Sequence, residues 1–186
     1  MIALLDACVL YPPALRDLFM WLATSRAYQP RWTEEIHAEW IRNVLEDRHE
    51  VTREQLERTR RLMNQVDMES VVSNYERHIP TFALPDANDR HVLAAGIEAG
   101  ADVIITFNLS DFPSVALTAY DIEALHPDSF LSLLISTERE AVLVGIRRHR
   151  ASLQRPPKSV EEYLMTLRTH GLIGFAFLLE PYRKLI

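Results

Sequence analysis

Cysteine occurs once in the 186 residues, at Cys8. A single cysteine rules out an intramolecular disulfide, a Cys-x-x-Cys redox pair and a thiolate zinc site, and it suits a reducing cytoplasm. Glycine is scarce, with five in the chain, so helices should dominate. Neither GxxxxGK[ST] nor GxGxxG occurs, which removes the common phosphate-cradling loops, and HExxH and GxSxG are absent too. The fragment His37-Ala38-Glu39 matches half of a zinc-deaminase motif, but its PCxxC half cannot be built from one cysteine. No apolar run approaches membrane-spanning length, and the start MIALLD reaches Asp6 without a basic region, so neither a membrane partner nor a signal peptide is expected. Positive charge is also short. Lys+Arg 20 against Asp+Glu 26 leaves a net charge of −6, which disfavours coating nucleic acid through bulk charge and still allows a local grip on RNA.

What is present is an ordinary globular composition, 48% hydrophobic and 25% charged, long enough for one domain with an appended lobe. Ile2-Ala3-Leu4-Leu5 is a short apolar run that reads as a buried first strand ending at Asp6. Pro13 suits the first turn of a helix from Ala14 to about Ser25, whose core face is Leu15, Leu18, Phe19 and Leu22. Tyr28 to Trp32 reads as a second strand. Thr33 is a helix N-cap ahead of Ile36, Trp40, Val44 and Leu45, with Glu39 beside that stripe. Glu46 to Arg77 reads as charged and helical, and its Arg53, Arg58, Arg60 and Arg61 are candidate RNA contacts. Ile79 to Leu84 reads as a further short strand. Tyr120 to Leu125 reads as a last strand and Pro127 as a helix start. Residues after about Thr137 read as helices only, broken at Pro156-Pro157, and Arg147-Arg148-His149-Arg150 is a second basic run.

Leu84 to Pro113 organises the rest. Asp86 and Asp89 stand at the start of a helix through Val92, Ala95, Gly96 and Ala99, and Val103-Ile104-Ile105 follows as a strand covered on both faces. Thr106, Asn108 and Asp111 come directly after it, where parallel α/β folds place their sites. Each residue also has a bland reading, Asp86 as a cap, Asn108 and Asp111 as turn formers, Glu39 as a solvated edge residue.

Taken together, Asp6, Glu39, Asp89 and Asp111, with Asn108 and Asp86, form a carboxylate set whose elements can meet at one sheet edge. The seven histidines are scattered and read as structural or surface residues. Hard oxygen donors without histidine suit Mg²⁺ or Mn²⁺, which assist phosphodiester cleavage. A phosphatase or phosphotransfer enzyme of another α/β family would want a second Asp where Cys8 stands.

Four stretches carry a resemblance. They are Leu4-Leu5-Asp6-Ala7-Cys8-Val9-Leu10, Thr33 followed by Glu39, Asp89-Arg90-His91-Val92-Leu93-Ala94-Ala95, and Ile105-Thr106-Phe107-Asn108-Leu109-Ser110-Asp111-Phe112. In this order the chain resembles PIN-domain proteins of the kind typified by VapC toxins of bacterial toxin–antitoxin pairs. The resemblance implies a three-layer α/β/α sandwich with a central parallel sheet over residues 1–135, and residues 136–186 would be a helical C-terminal extension. It implies a Mg²⁺- or Mn²⁺-dependent endoribonuclease cutting single-stranded RNA in the cytoplasm, with a protein antitoxin and a homodimeric state. Asp6, Glu39 and Asp89 match the family's first three acids. Where the family usually has Thr-x-Asp, this chain has Thr106 and Asn108, with Asp111 three residues on. Asp6, Glu39, Asp89 and Asp111 are therefore the expected catalytic residues, Asp6, Asp89, Asn108 and Asp111 the expected metal ligands, with Asp86 and Thr106 beside them. The alternative is a PIN-like binding module with weakened or lost nuclease activity.

Overall fold

The computed structural model describes residues 1–81 and 84–186. In chain order its elements begin with β1 (Ile2–Leu5), α1 (Ala7–Leu10), α2 (Pro13–Thr24), β2 (Gln29–Arg31), α3 (Glu34–Asp47) and α4 (Arg53–Met63). There follow α5 (Arg90–Glu98), β3 (Val103–Ile105), α6 (Ser114–Leu117) and β4 (Glu123–Leu125). The chain ends in four helices, α7 (Pro127–Thr137), α8 (Arg139–Ser152), α9 (Val160–Thr169) and α10 (Ile173–Leu179). The class is α/β with a parallel sheet and a helical C-terminal region. Two compact units divide the chain. One comprises Met1–Pro13 and Gln29–His126, the other Ala14–Tyr28 and Pro127–Ile186.

The first unit holds a four-stranded parallel sheet in the order β2-β1-β3-β4. Ala3, Leu4, Leu5 and Val103 to Ile105 are all buried, as expected for strands covered on both faces. From β1 the chain goes first to β2 on one side and later to β3 on the other. The switch point therefore lies between the carboxyl ends of β1 and β3, where open parallel sheets bind their ligands.

Thr33 caps α3 as its sequence suggests, its Oγ1 accepting the Ile36 N–H at 3.0 Å. The stretch expected to be helical from Glu46 to Arg77 is not continuous. It breaks at residues 48–52, restarts at a Thr52–Gln55 capping box, and α4 stops at Met63. The reason is tertiary. Asn64 Oδ1 accepts from Trp32 Nε1 and lies 2.9 Å from His37 Nε2, while Trp40 Nε1 donates to His37 Nδ1. Val71 then pairs with Trp32, through Trp32 N to Ser70 O and Val72 N to Trp32 O. Buried Arg31 bonds Asp67 at 3.2 Å and Glu69 at 2.8 Å. Of the strand expected at 79–84, Ile79 to Thr81 close a 3₁₀ segment, Tyr75–Thr81, and residues 82–83 lie outside the described residues.

The second unit packs α2 and α7 to α10 around Leu18, Phe19, Leu22, Phe130, Leu134 and Phe175, all fully buried. Phe19, Tyr28 and Phe130 form an aromatic triad with centroids 5.4–6.1 Å apart, a spacing that adds to plain area burial. Helices α2 and α8 approach closely at Gly145, where an added Cβ would lie 2.8 Å from Ser25 Oγ. No helix among the described residues is long and apolar enough to cross a membrane.

Candidate active site

Asp6 ends β1 and begins α1, with its backbone N–H donated to Ile105 O. Its side chain is buried, and Oδ2 accepts from Thr106 Oγ1 at 2.7 Å and from Cys8 Sγ at 3.0 Å. Thr106, fully buried at the end of β3, also accepts the Asn108 N–H at 3.0 Å. Phe107 N donates to Cys8 Sγ at 3.3 Å. The ends of β1 and β3 are thus laced together around one carboxylate. Thr106 acts here by holding Asp6 in place. The Cys8 thiol thereby supplies a second hydrogen bond to the Asp6 carboxylate beside that of Thr106. Burial first, and then the Asp6 charge, push the Cys8 thiol up to about 12, so it stays protonated and serves as a donor.

Asp89 is the N-cap of α5 and makes no side-chain cap bond. Burial, followed by the neighbouring carboxylates Asp6, Asp86 and Asp111, pushes its carboxyl up to about 6. All three of these neighbours are negative. Glu39 on α3 is raised by burial first, then by Asp6, with Arg42 opposing and Asp89 and Glu35 adding. Asp86 caps the 3₁₀ turn Ala87–Asp89 by accepting the Asn88 N–H at 2.8 Å, so its capping and electrostatic roles coexist. Asp111 closes the 3₁₀ turn Leu109–Asp111, its N–H bonded to Asn108 O at 3.0 Å. The Asn108 side chain is exposed and makes no cap bond.

The structure therefore brings Asp89 within electrostatic reach of Asp6, Asp86 and Asp111, and Glu39 within reach of Asp6 and Asp89, from four separate stretches of chain. Asn108 enters through its backbone. Among the described residues, no three His, Cys, Asp or Glu side chains converge as they stand on a metal-sized point. The donor chemistry still fits a hard divalent cation, since these are oxygen donors and Asp89 and Glu39 are each raised by neighbouring carboxylates, with Arg42 opposing at Glu39.

Sequence reasoning passed over His91, which the structure buries between two carboxylates. Its Nδ1 lies 3.7 Å from Glu35 Oε2 and its Nε2 3.8 Å from Glu39 Oε2, beyond hydrogen-bond reach. Its Nδ1 has no hydrogen-bond partner among the described residues. Burial lowers its pKa against the pull of Glu35 and Asp6. The signal available was its place two residues after Asp89. Of the basic residues suggested for RNA, Arg60 is occupied by Glu34 and Glu57, and Arg150 donates to Lys158 O.

Comparison with known proteins gives two family matches. The PIN domain matches residues 3–110, and the VapC50 C-terminal domain matches residues 127–181. The Mycobacterium tuberculosis (strain ATCC 25618 / H37Rv) protein named "Putative ribonuclease VapC50" is 60% identical over 61 residues. That stretch is 31% of this chain and 36% of the other, so the match spans about a third of the curated relative. No solved structure matches the chain.

Proposed function

The chain belongs to the PIN-domain family, and from that premise we propose that it is an endoribonuclease of single-stranded RNA and the toxin of a toxin–antitoxin pair. One observation carries the reading: carboxylates from separate elements crowd the switch point of the sheet, and Asp89 is raised by burial and then by its negative neighbours Asp6, Asp86 and Asp111. Such crowding works against folding, and a site that binds a cation and a phosphodiester explains why a protein would keep it. Asp6, Asp89 and Asp111, with Asn108, are the residues that would hold Mg²⁺ or Mn²⁺, and the ion when bound supplies an activated water and charge stabilisation at the leaving oxygen. Thr106 and Cys8 fix the Asp6 carboxylate, so it meets its ligand with little reorganisation. Glu39 would orient a water or accept its proton, a role its raised pKa supports. A cytoplasmic location, a protein antitoxin and a homodimer complete the proposal.

The test is cleavage of a mixed-sequence single-stranded RNA by purified protein with Mn²⁺ or Mg²⁺, against EDTA and an Asp6→Asn control. Metal-dependent cutting that the substitution abolishes is the expected result. Cutting that survives both EDTA and Asp6→Asn sinks the assignment. A second reading, a PIN-like binding module with weakened or lost nuclease activity, is favoured by the absence among the described residues of three side chains already converged on a metal. It predicts RNA or partner binding without cleavage and no Mn²⁺ heat in calorimetry.

A further inference from the structure

The two edges of the sheet are finished differently. At β2, Trp32 is paired with Val71, and Arg31 is tied to Asp67 and Glu69. At the other edge, among the described residues β4 has β3 on one side and no strand on the other. In a parallel ladder a residue sends its N–H and C=O to the same side, and successive residues alternate. Glu123 N donates to Asp102 O and Leu125 O accepts from Thr106 N, so these two residues face β3. Ala124 between them turns both backbone groups outward.

Beside Ala124 lies a cleft of about 510 Å³. Leu109, Phe112 and Ile122 are among its apolar lining, Asp102, Asp121 and Glu123 supply its charge, and neither Lys nor Arg lines it. Asp102 Oδ2 is engaged by the Ile2 N–H, while Asp121 and Glu123 are exposed and have no ion-pair partner among the described residues. An open strand edge, an apolar floor and a uniformly acidic rim specify a visitor with three properties. It is extended, it has apolar side chains on one face, and it is cationic. The acid rim repels the phosphates of RNA. We propose that this cleft docks a basic, extended peptide segment of a partner protein, added as a strand against Ala124. None of Asp6, Glu39, Asp86, Asp89 and Asp111 lines the cleft, although Leu109 and Phe112 flank Asp111 in the chain.

A fluorescein-labelled seven-residue peptide alternating valine and arginine, and a counterpart with glutamate for arginine, test this by anisotropy titration against the full chain. The basic peptide should bind saturably, with at least a tenfold advantage over the acidic one. Asp121→Asn combined with Glu123→Gln should weaken it about tenfold. The backbone is expected to hold, because Asp121 has φ 54°, a conformation Asn adopts readily. Ala124→Pro should weaken it similarly, since it deletes an N–H that β3 does not use and proline is tolerated on edge strands. If that variant does not fold, a peptide N-methylated at alternate positions probes the same bonds from the ligand side. Asp89→Asn should leave binding unchanged. Equal binding of the two peptides overturns the proposal. So does loss of binding in Asp89→Asn alone, or displacement of the peptide by single-stranded RNA. A self-association that Ala124→Pro abolishes would give the edge to a second copy instead.

Discussion

Two aspartates stand at helix starts, one in each unit, in opposite surroundings. Asp128, in the first turn of α7, accepts the N–H groups of Gly174 at 2.9 Å and Phe175 at 2.8 Å, where α10 begins. A Cβ on Gly174 would lie 3.0 Å from Asp128 Oδ2, so glycine allows that close approach. Asp89 at the start of α5 caps nothing with its side chain and is pressed by three other carboxylates. The histidines repeat the contrast. His149 is buried with Nδ1 2.8 Å from the Tyr163 hydroxyl and Nε2 3.5 Å from Asp17, whereas His91 Nδ1 has no hydrogen-bond partner among the described residues. One unit uses its buried polar groups to hold helices together. The other satisfies buried Arg31 and His37 in the same way and leaves carboxylates in mutual conflict at the end of the sheet around Asp89, and such conflict marks a site kept for a ligand.

The largest effect expected from breaking this contrast is on catalysis. Asp6→Asn with Asp89→Asn should reduce metal-dependent RNA cleavage by at least about a hundredfold, the scale of losing groups that stabilise transition-state charge. Its thermal melt should stay cooperative, and undiminished cutting by the pure double variant would remove both residues from the site. In the other unit the effect should fall on stability. Asp128→Ala strips two charge-assisted N–H bonds and should cost about 2 kcal/mol in urea unfolding with RNA cleavage unchanged. Next comes the histidine pair. His149→Phe leaves the Tyr163 hydroxyl buried without its partner and should cost about 1–2 kcal/mol. His91→Phe should cost well under about 1 kcal/mol, because the imidazole makes no close bond to lose. Equal losses for the two would show that they are alike in spite of their surroundings.

Much of this was legible in one dimension. Ile2–Leu5 and Val103–Ile105 announce themselves as apolar runs ending in polar residues, and Thr33 announces α3 by its chemistry. Asp6, Thr106 and Asp111 follow those strand ends, so their meeting needs only a parallel sheet. The break after Met63 was not legible, because α4 has the right spacing and charge for a helix and what ends it is distant. Asn64 is taken by Trp32 and His37, 32 and 27 residues away, and Ser70 and Val72 by the Trp32 backbone. Cys8 as a hydrogen-bond donor to Asp6 was hidden for a related reason. A thiol reads as apolar in sequence, and only its 3.0 Å approach to a carboxylate makes it polar.

The last expected effect tests the cost of the site. The Asp89 carboxyl sits at about 6 in the folded chain against an ordinary 3.8. A raised acid contributes stability that is fully present below the ordinary value and is lost as pH rises through the folded one. Wild type should therefore lose stability between about pH 4 and pH 6 on account of this group, and gain none back from it at neutral pH. The full shift would correspond to about 3 kcal/mol, and partial solvent screening of a half-buried group reduces that to about 1 kcal/mol. Asp89→Asn should flatten this part of the pH–stability curve and leave the variant about 1 kcal/mol more stable than wild type at pH 7, read from urea midpoints across the range. Mn²⁺ should narrow the gap by stabilising wild type and not the variant. An Asp89→Asn protein less stable than wild type at pH 7 would mean that the carboxylate is held by favourable contacts, as Asp128 is, and the contrast between the two aspartates would fail.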